Sequence, residues 1–99
     1  MKYQIVNRPG VKIDIINAVD YYKTISPELA SQFLFRIREA KDYIALYPQS
    51  FEIKYKNVRT LLLKQFPFHI HYLIDDLHQQ IIILSVIHAY KNPLDYSNR

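Results

Sequence analysis

The chain has 99 residues, of which 49% are hydrophobic, so it can form one domain with one core and is too apolar for wholesale disorder. It contains no cysteine, which excludes disulfides and cysteine-ligated zinc. No apolar run approaches the roughly 18–20 residues of a membrane span, and none forms a signal peptide. We therefore expect a cytoplasmic protein without a membrane partner. The net charge of +4 favours polyanionic partners such as RNA, DNA or acidic protein segments, and it is equally compatible with a plain solvated surface.

The first half of the chain predicts one short strand followed by two helices. Residues 3–6 have strand composition, and Pro9-Gly10 is expected to break that strand. Apolar residues from Val11 to Tyr22 recur at spacings of three and four, which indicates an amphipathic helix. Ser26-Pro27-Glu28 starts a second helix, because serine caps, proline fits the first position and a carboxylate suits the helix dipole. Pro48 ends it, so we predict an antiparallel helical hairpin.

The second half changes to β-branched and aromatic residues that alternate or run continuously, as strands do. We place strands near Val58–Phe66, Phe68–Asp75 and Gln80–Tyr90, with a tight turn at 75–78 joining the last two. The predicted fold class is α+β, with an N-terminal strand and the helical hairpin packed on a largely antiparallel four-stranded sheet. Residues 1–91 are expected to form a single domain, followed by a polar C-terminal tail at 92–99.

Three cations lie close together where the strands begin. If residues 54–56 are extended, Lys54 and Lys56 point the same way, and Arg59 at the start of the next strand has a planar fork that can hold a phosphate. The alternative is a solvated basic edge that prevents pairing between sheets of different molecules.

His88 and Tyr90 lie two residues apart at the end of the last strand. Alternation places them on one face with Ile82, Leu84 and Val86, so this face starts apolar and becomes polar at its rim. An imidazole can exchange protons near neutral pH, and a phenol can stack on a base or donate a hydrogen bond. The alternative is a histidine that closes the core and a tyrosine that covers it.

His69 and His71 also lie two apart, on the middle strand. Such a pair can bind a metal ion, but the sequence identifies no third ligand, and both side chains could simply face solvent. We therefore predict no metal site and no cofactor. The sequence contains no glycine-rich phosphate loop and no catalytic-triad signature.

Several short motifs occur in an order that resembles the RelE/ParE superfamily of bacterial toxins, also called plasmid stabilisation proteins. The likeness covers most of the chain. The motifs are Ala18-x-x-Tyr21-Tyr22, Pro27-x-Leu29-Ala30-x-x-Phe33, Tyr47-Pro48, Tyr55-Lys56-Asn57-Val58-Arg59, Phe66-Pro67-Phe68-x-Ile70-x-Tyr72 and Val86-x-His88.

The resemblance implies the toxin of a type II toxin–antitoxin module, with a small and acidic antitoxin encoded beside it. In the RelE-like branch, such a toxin is a metal-independent endoribonuclease that cuts mRNA on the ribosome. In the ParE-like branch, it is a non-catalytic poison of DNA gyrase. We expect the endoribonuclease, keep the gyrase poison as the alternative, and note that a degenerate member retaining only antitoxin binding would be non-toxic.

For the nuclease, the resemblance implies roles for individual residues. Arg59 holds the phosphate, His88 is the general acid or base, and Tyr90 stacks on or orients the nucleotide. Lys54 and Lys56 are electrostatic partners. Lys54, Lys56 and Lys91 are the expected RNA- or phosphate-binding residues. Lys91 stands in the stretch where many relatives carry arginines, and the last strand holds no second arginine.

Overall fold

The structure is a computed structural model, and it describes residues 3–89. Tyr90, Lys91 and the predicted tail at 92–99 lie outside the described residues, so the domain boundary at residue 91 stays a prediction. The elements are β1 (Gln4–Asn7), α1 (Pro9–Lys23), α2 (Pro27–Leu46), a 3₁₀ turn (Pro48–Ser50), β2 (Ile53–Tyr55), β3 (Val58–Leu62), β4 (Phe68–Asp75) and β5 (Gln80–His88). No helix within residues 3–89 has the length and apolar character to span a membrane.

The five strands form one sheet in the order β1-β5-β4-β3-β2. β1 pairs with β5 in parallel, and the other pairs are antiparallel. This confirms the α+β prediction with a helical hairpin and a largely antiparallel sheet, but the predicted number of four strands was wrong. The extra strand is β2, which folds back on β3 through the two-residue turn at 56–57 and pairs Tyr55 with Val58.

Two element boundaries differ from the prediction. Pro9 begins α1 at its first position, where its fixed φ suits the helix and its missing N–H is not needed. β3 ends at Leu62 rather than Phe66, and Gln65 in the following loop has a φ of 74°, which a strand cannot contain. The start of α2 is confirmed, since the Ser26 hydroxyl accepts a hydrogen bond from the Leu29 amide at 3.1 Å.

The core lies between the helical hairpin and one face of the sheet. At its centre, Phe33 of α2 contacts Phe66 and Phe68 edge-on, with ring centroids 5.3 and 5.2 Å apart. Tyr22 of α1 contacts Phe66 at 4.9 Å. These aromatic contacts join both helices to the sheet and to the β3–β4 loop, and each is worth about 0.5–1.5 kcal/mol beyond the area it buries.

A β-bulge in β5 changes which side chains share a face. His71 pairs with Ser85 but Tyr72 pairs with Ile83, so Leu84 is the extra residue. Val86 lies in the core with Ile83, and alternation from Val86 places His88 on this helix-covered face too. The prediction that His88 shares a face with Ile82 and Leu84 was wrong, because a bulge shifts the alternation by one residue.

Candidate functional site

Arg59 lies at the start of β3, opposite Tyr72 of β4. Its Nη1 donates hydrogen bonds to the carbonyl oxygens of Phe51 at 2.7 Å and Gln49 at 3.3 Å. The Tyr72 hydroxyl donates to the Pro48 carbonyl at 2.6 Å. Burial raises the pKa of Tyr72 to about 12, although the Arg59 charge acts in the opposite direction. Arg59 and Tyr72 together therefore hold the segment between α2 and β2 against the sheet.

His88 lies at the end of β5, level with the first residue of β4. It is half-buried and pairs with Phe68, whose ring meets the imidazole edge-on with centroids 5.2 Å apart. The two rings line an open cleft of about 440 Å³ between α1 and the sheet. The cleft is lined by Asp14, Asn17, Ala18, Tyr21, Tyr22, Phe68, Val86 and His88. The Asp14 carboxylate accepts a hydrogen bond from the Val86 amide at 2.9 Å and so joins α1 to β5.

The structure does not bring Arg59 and His88 together. Arg59 is level with Tyr72 on β4 and His88 is level with Phe68, four residues away on the same strand. Four residues of strand span about 13 Å, and Arg59 and His88 also lie on opposite sides of β4. β3 and β5 both run antiparallel to β4, so the start of β3, where Arg59 lies, and the end of β5, where His88 lies, are at different positions along β4. The catalytic roles assigned to them stay predictions.

The predicted phosphate-binding lysines lie on different kinds of backbone. Lys54 is in β2 and forms an exposed ion pair with Glu52 at 3.5 Å, which contributes little to stability. Lys56 is in the turn with a φ of 49°. The condition of an extended chain through 54–56 is therefore not met, and the two side chains do not follow strand alternation. Tyr90 and Lys91 lie outside the described residues.

A second polar group lies on the face of the sheet away from the helices, and of its members only Lys54 was assigned to a binding site from the sequence. His71 is only 2% exposed, and its Nδ1 is 3.2 Å from the Tyr55 hydroxyl. The His69 ring is 6.2 Å from the His71 ring. Burial lowers the pKa of His69, and the Lys54 charge lowers it further. Lys54, Tyr55, His69 and His71, here called the open-face group, thus combine a cation, a phenol and two imidazoles whose pKa values are lowered.

The sequence contained one signal for this group, the spacing of the two histidines. Solvent exposure of both was one of the alternatives, and for His71 it was wrong. Tyr55 reaches His71 only because β2 folds back on β3, a pairing that was not predicted. Within residues 3–89, no third metal-binding side chain joins the two histidines.

Burial of His71 has a consequence for the pH dependence of stability. Burial, with a smaller contribution from the His69 charge, lowers the pKa of His71 to about 4 from its usual 6.5. The unfolded chain therefore binds a proton between pH 6.5 and 4 that the folded chain does not, so acidification favours unfolding in this window. We expect the free energy of unfolding to fall by up to about 1.4 kcal/mol per pH unit there.

Urea denaturation at intervals between pH 7 and pH 4 measures this slope. His71→Gln keeps a polar side chain of similar size that does not titrate, so its slope should be smaller by this amount. Identical slopes for the two proteins would show that His71 titrates normally in the folded chain.

No protein-family model matches the chain, and no curated protein matches it. Solved structures do match it, among them the following two. One is described as the chromosomal ParDE TA system from P. aeruginosa, where the matching chain is 22% identical, with a TM-score of 0.75 over 88% of this chain and 96% of that one. The other is the toxin–antitoxin complex RelBE2 from Mycobacterium tuberculosis, with 15% identity and a TM-score of 0.59 over 89% of this chain and 99% of that one. The chain therefore has the RelE/ParE-like fold that its motifs predicted.

Proposed function

We propose that this chain is the toxin of a type II toxin–antitoxin module and that it acts by binding a protein target, DNA gyrase. The fold supports the first part, because the two similar structures named above are described as toxin–antitoxin assemblies. The stronger likeness is to the ParDE chain, with a TM-score of 0.75 against 0.59. The resemblance in the motifs points to the same two branches, and the ParE-like branch is the one that binds gyrase.

The observation that carries the proposal is an exposed apolar surface on α2. Phe35, Tyr43, Leu46 and Tyr47 are each 54–56% exposed. They line one shallow depression together with Arg38, Glu39 and Asp42. Large apolar side chains grouped in this way with charged neighbours mark a surface that binds another protein. We call these seven residues the α2 surface.

The positions of Arg59 and His88 also support gyrase binding over mRNA cleavage. Cleavage by a 2′-hydroxyl needs a proton donor or acceptor and a cation on one phosphate. Arg59 instead donates to two backbone carbonyls and lies about 13 Å from His88 along β4. A protein-binding toxin does not require these two residues to meet.

Charge substitutions on the α2 surface test this function. Phe35→Asp and Leu46→Asp should abolish growth arrest on expression and reduce inhibition of gyrase supercoiling by purified protein at least tenfold, because a buried interface excludes an unpaired carboxylate. Both positions are exposed, so thermal unfolding should change little. Leu77→Asp, at a turn position that is 87% exposed, is the matched control and should stay toxic. Full toxicity of both α2 variants would contradict the proposal.

The open-face group supports a second candidate, the ribosome-dependent endoribonuclease. Lys54 can stabilise a phosphate, and the lowered pKa of His69 keeps its imidazole available as a base near neutral pH. A translation reaction distinguishes gyrase binding from mRNA cleavage. The 5′ ends of the mRNA are mapped after incubation with wild type, His69→Ala or His88→Ala. Ribosome-dependent cuts that disappear in His69→Ala, with supercoiling unaffected, would establish the nuclease instead.

Either mechanism requires a partner that silences the toxin between activations. The net charge of +4 favours a small acidic antitoxin, and we expect it to be encoded directly beside this gene. The segment of the antitoxin that contacts the toxin would become ordered on binding and would cover basic and apolar surface together.

A further inference from the structure

Two large apolar side chains lie exposed side by side on α1. Ile13 is 59% exposed and Ile16 is 46% exposed, and residues three apart are neighbours on one face of a helix. The opposite face of α1 is buried, with Val11, Ala18 and Tyr22 in the core. Isoleucine is a weaker helix former than alanine, lysine or glutamate, so helix formation does not account for the exposed pair. The pair offers apolar area for contact with another protein.

Charged residues flank Ile16 along one row of side chains. Lys12, Ile16 and Asp20 are spaced four residues apart, so they form a continuous ridge on the surface of α1, here called the α1 row. All three side chains are exposed. Lys12 and Asp20 are separated by about 12 Å along the helix axis. Neither forms an ion pair with a residue in the described range 3–89.

The α1 row is complementary to a second copy of itself. When two such rows pack antiparallel with Ile16 at the two-fold axis, Lys12 of one copy lies beside Asp20 of the other, and the symmetry repeats this pair. Ile16 then contacts Ile16 of the second copy, with Ile13 close by. A parallel arrangement would place lysine against lysine and aspartate against aspartate. The order of charges along the row therefore selects the antiparallel arrangement.

The net charge of +4 opposes association of two copies, but it acts over longer distances than the α1 row does. Charges spread over the surface are screened beyond about 8 Å at physiological ionic strength. The two lysine–aspartate pairs lie at contact distance, where screening is weakest. A contact between two short helices is smaller than a standard interface of about 1,600 Å², so the association is weak and reversible.

We propose that two copies of this chain form a symmetric dimer through antiparallel contact of their α1 helices, centred on Ile16 and oriented by Lys12 and Asp20. The α1 row shares no residue with the α2 surface. The dimer therefore carries two α2 surfaces, and it would bind a target with two equivalent sites more tightly than a single chain does. The inference does not rest on the proposed function, because it depends on α1 alone.

Charge reversal tests the orientation of the two helices. Sedimentation equilibrium of the purified full chain, at up to about 1 mM, measures the dissociation constant of the dimer. Lys12→Glu and Asp20→Lys should each weaken dimerisation about tenfold or more, because each substitution places like charges at both ends of the contact. A mixture of the two variants should associate as wild type does, since every lysine then faces a carboxylate. Lys64→Glu, an equal charge change at an exposed loop position, is the matched control and should have little effect.

A single introduced thiol tests the register, because the chain contains no cysteine. Ile16→Cys should form a disulfide-linked dimer under mild oxidation, since the two-fold axis brings the two copies of this position together. Leu77→Cys, at a turn position that is 87% exposed, meets its copy only by random collision and should form the linked dimer far more slowly. Circular dichroism of each variant checks that it is folded.

A chain that stays monomeric at about 1 mM would overturn the inference, and so would a dimer that neither charge reversal weakens. Equal rates of cross-linking for the two cysteine variants would refute the contact at Ile16. A dimer that Phe35→Asp dissociates and Ile16→Asp leaves intact would place the interface on the α2 surface instead. Growth arrest by the α2 variants judges the proposed function separately, since the dimer is measured on purified protein without a target.

Discussion

Phe33→Ala is expected to lower the free energy of unfolding by about 3–5 kcal/mol. The Phe33 side chain is fully buried, and its ring contacts Tyr22, Phe66 and Phe68 with centroids 5.2–5.5 Å apart. Removing it leaves a cavity where both helices, β4 and the β3–β4 loop meet. Domains of this size have a total stability of about 5–15 kcal/mol, so a large fraction of it would be lost.

Urea denaturation followed by circular dichroism measures this effect, and Phe35→Ala is the matched control. Phe35 lies two residues further along α2 and is 56% exposed, so its removal should change the free energy of unfolding by less than about 0.5 kcal/mol. Equal losses for the two variants would mean that Phe35 is as deeply buried in the folded chain as Phe33.

Arg59→Ala is expected to destabilise the fold by about 2 kcal/mol, because hydrogen bonds from charged groups contribute about 1.5–3 kcal/mol. The substitution removes the donor to the Phe51 and Gln49 carbonyls and leaves Tyr72 as the remaining side-chain donor to this segment, through Pro48. Thermal unfolding of purified protein measures the loss. Arg38→Ala removes an exposed arginine from α2 and should leave the unfolding temperature nearly unchanged.

The same variant separates a structural role of Arg59 from a role on phosphate. If the structural role is correct, any loss of growth arrest in Arg59→Ala should follow the loss of folded protein, and lower temperature should restore both. A variant as stable as wild type that has lost toxicity at every temperature would support phosphate binding by Arg59, and with it the nuclease.

The element types and their order could be predicted from the sequence because they depend on local chemistry. The apolar spacing in residues 11–22 and the cap at Ser26 each act within a few residues of the chain. β2 was missed because a strand of three residues carries almost no periodic signal. Its pairing with β3 depends on a turn in which Lys56, rather than glycine, adopts a positive φ.

The site was harder to predict than the fold, because it depends on register. Arg59 and His88 both lie at strand ends, but the sequence does not say which ends are adjacent in the sheet. The bulge at Leu84 adds a second uncertainty, since one extra residue moves every later side chain of β5 to the other face. Even a correct list of strands therefore left the positions of the candidate residues undetermined.

The sequence by itself determined the fold class, the helical hairpin, the apolar composition of the core and the basic charge, because these properties depend on local propensity and composition. Only the tertiary structure decided the partners of individual polar groups. It directs Arg59 to backbone carbonyls, buries His71 beside Tyr55, and leaves Lys12 and Asp20 of α1 without an ion-pair partner within residues 3–89. The physical reason is that hydrogen bonding and burial are set by neighbours distant in sequence, which meet only when the register of the whole sheet is established.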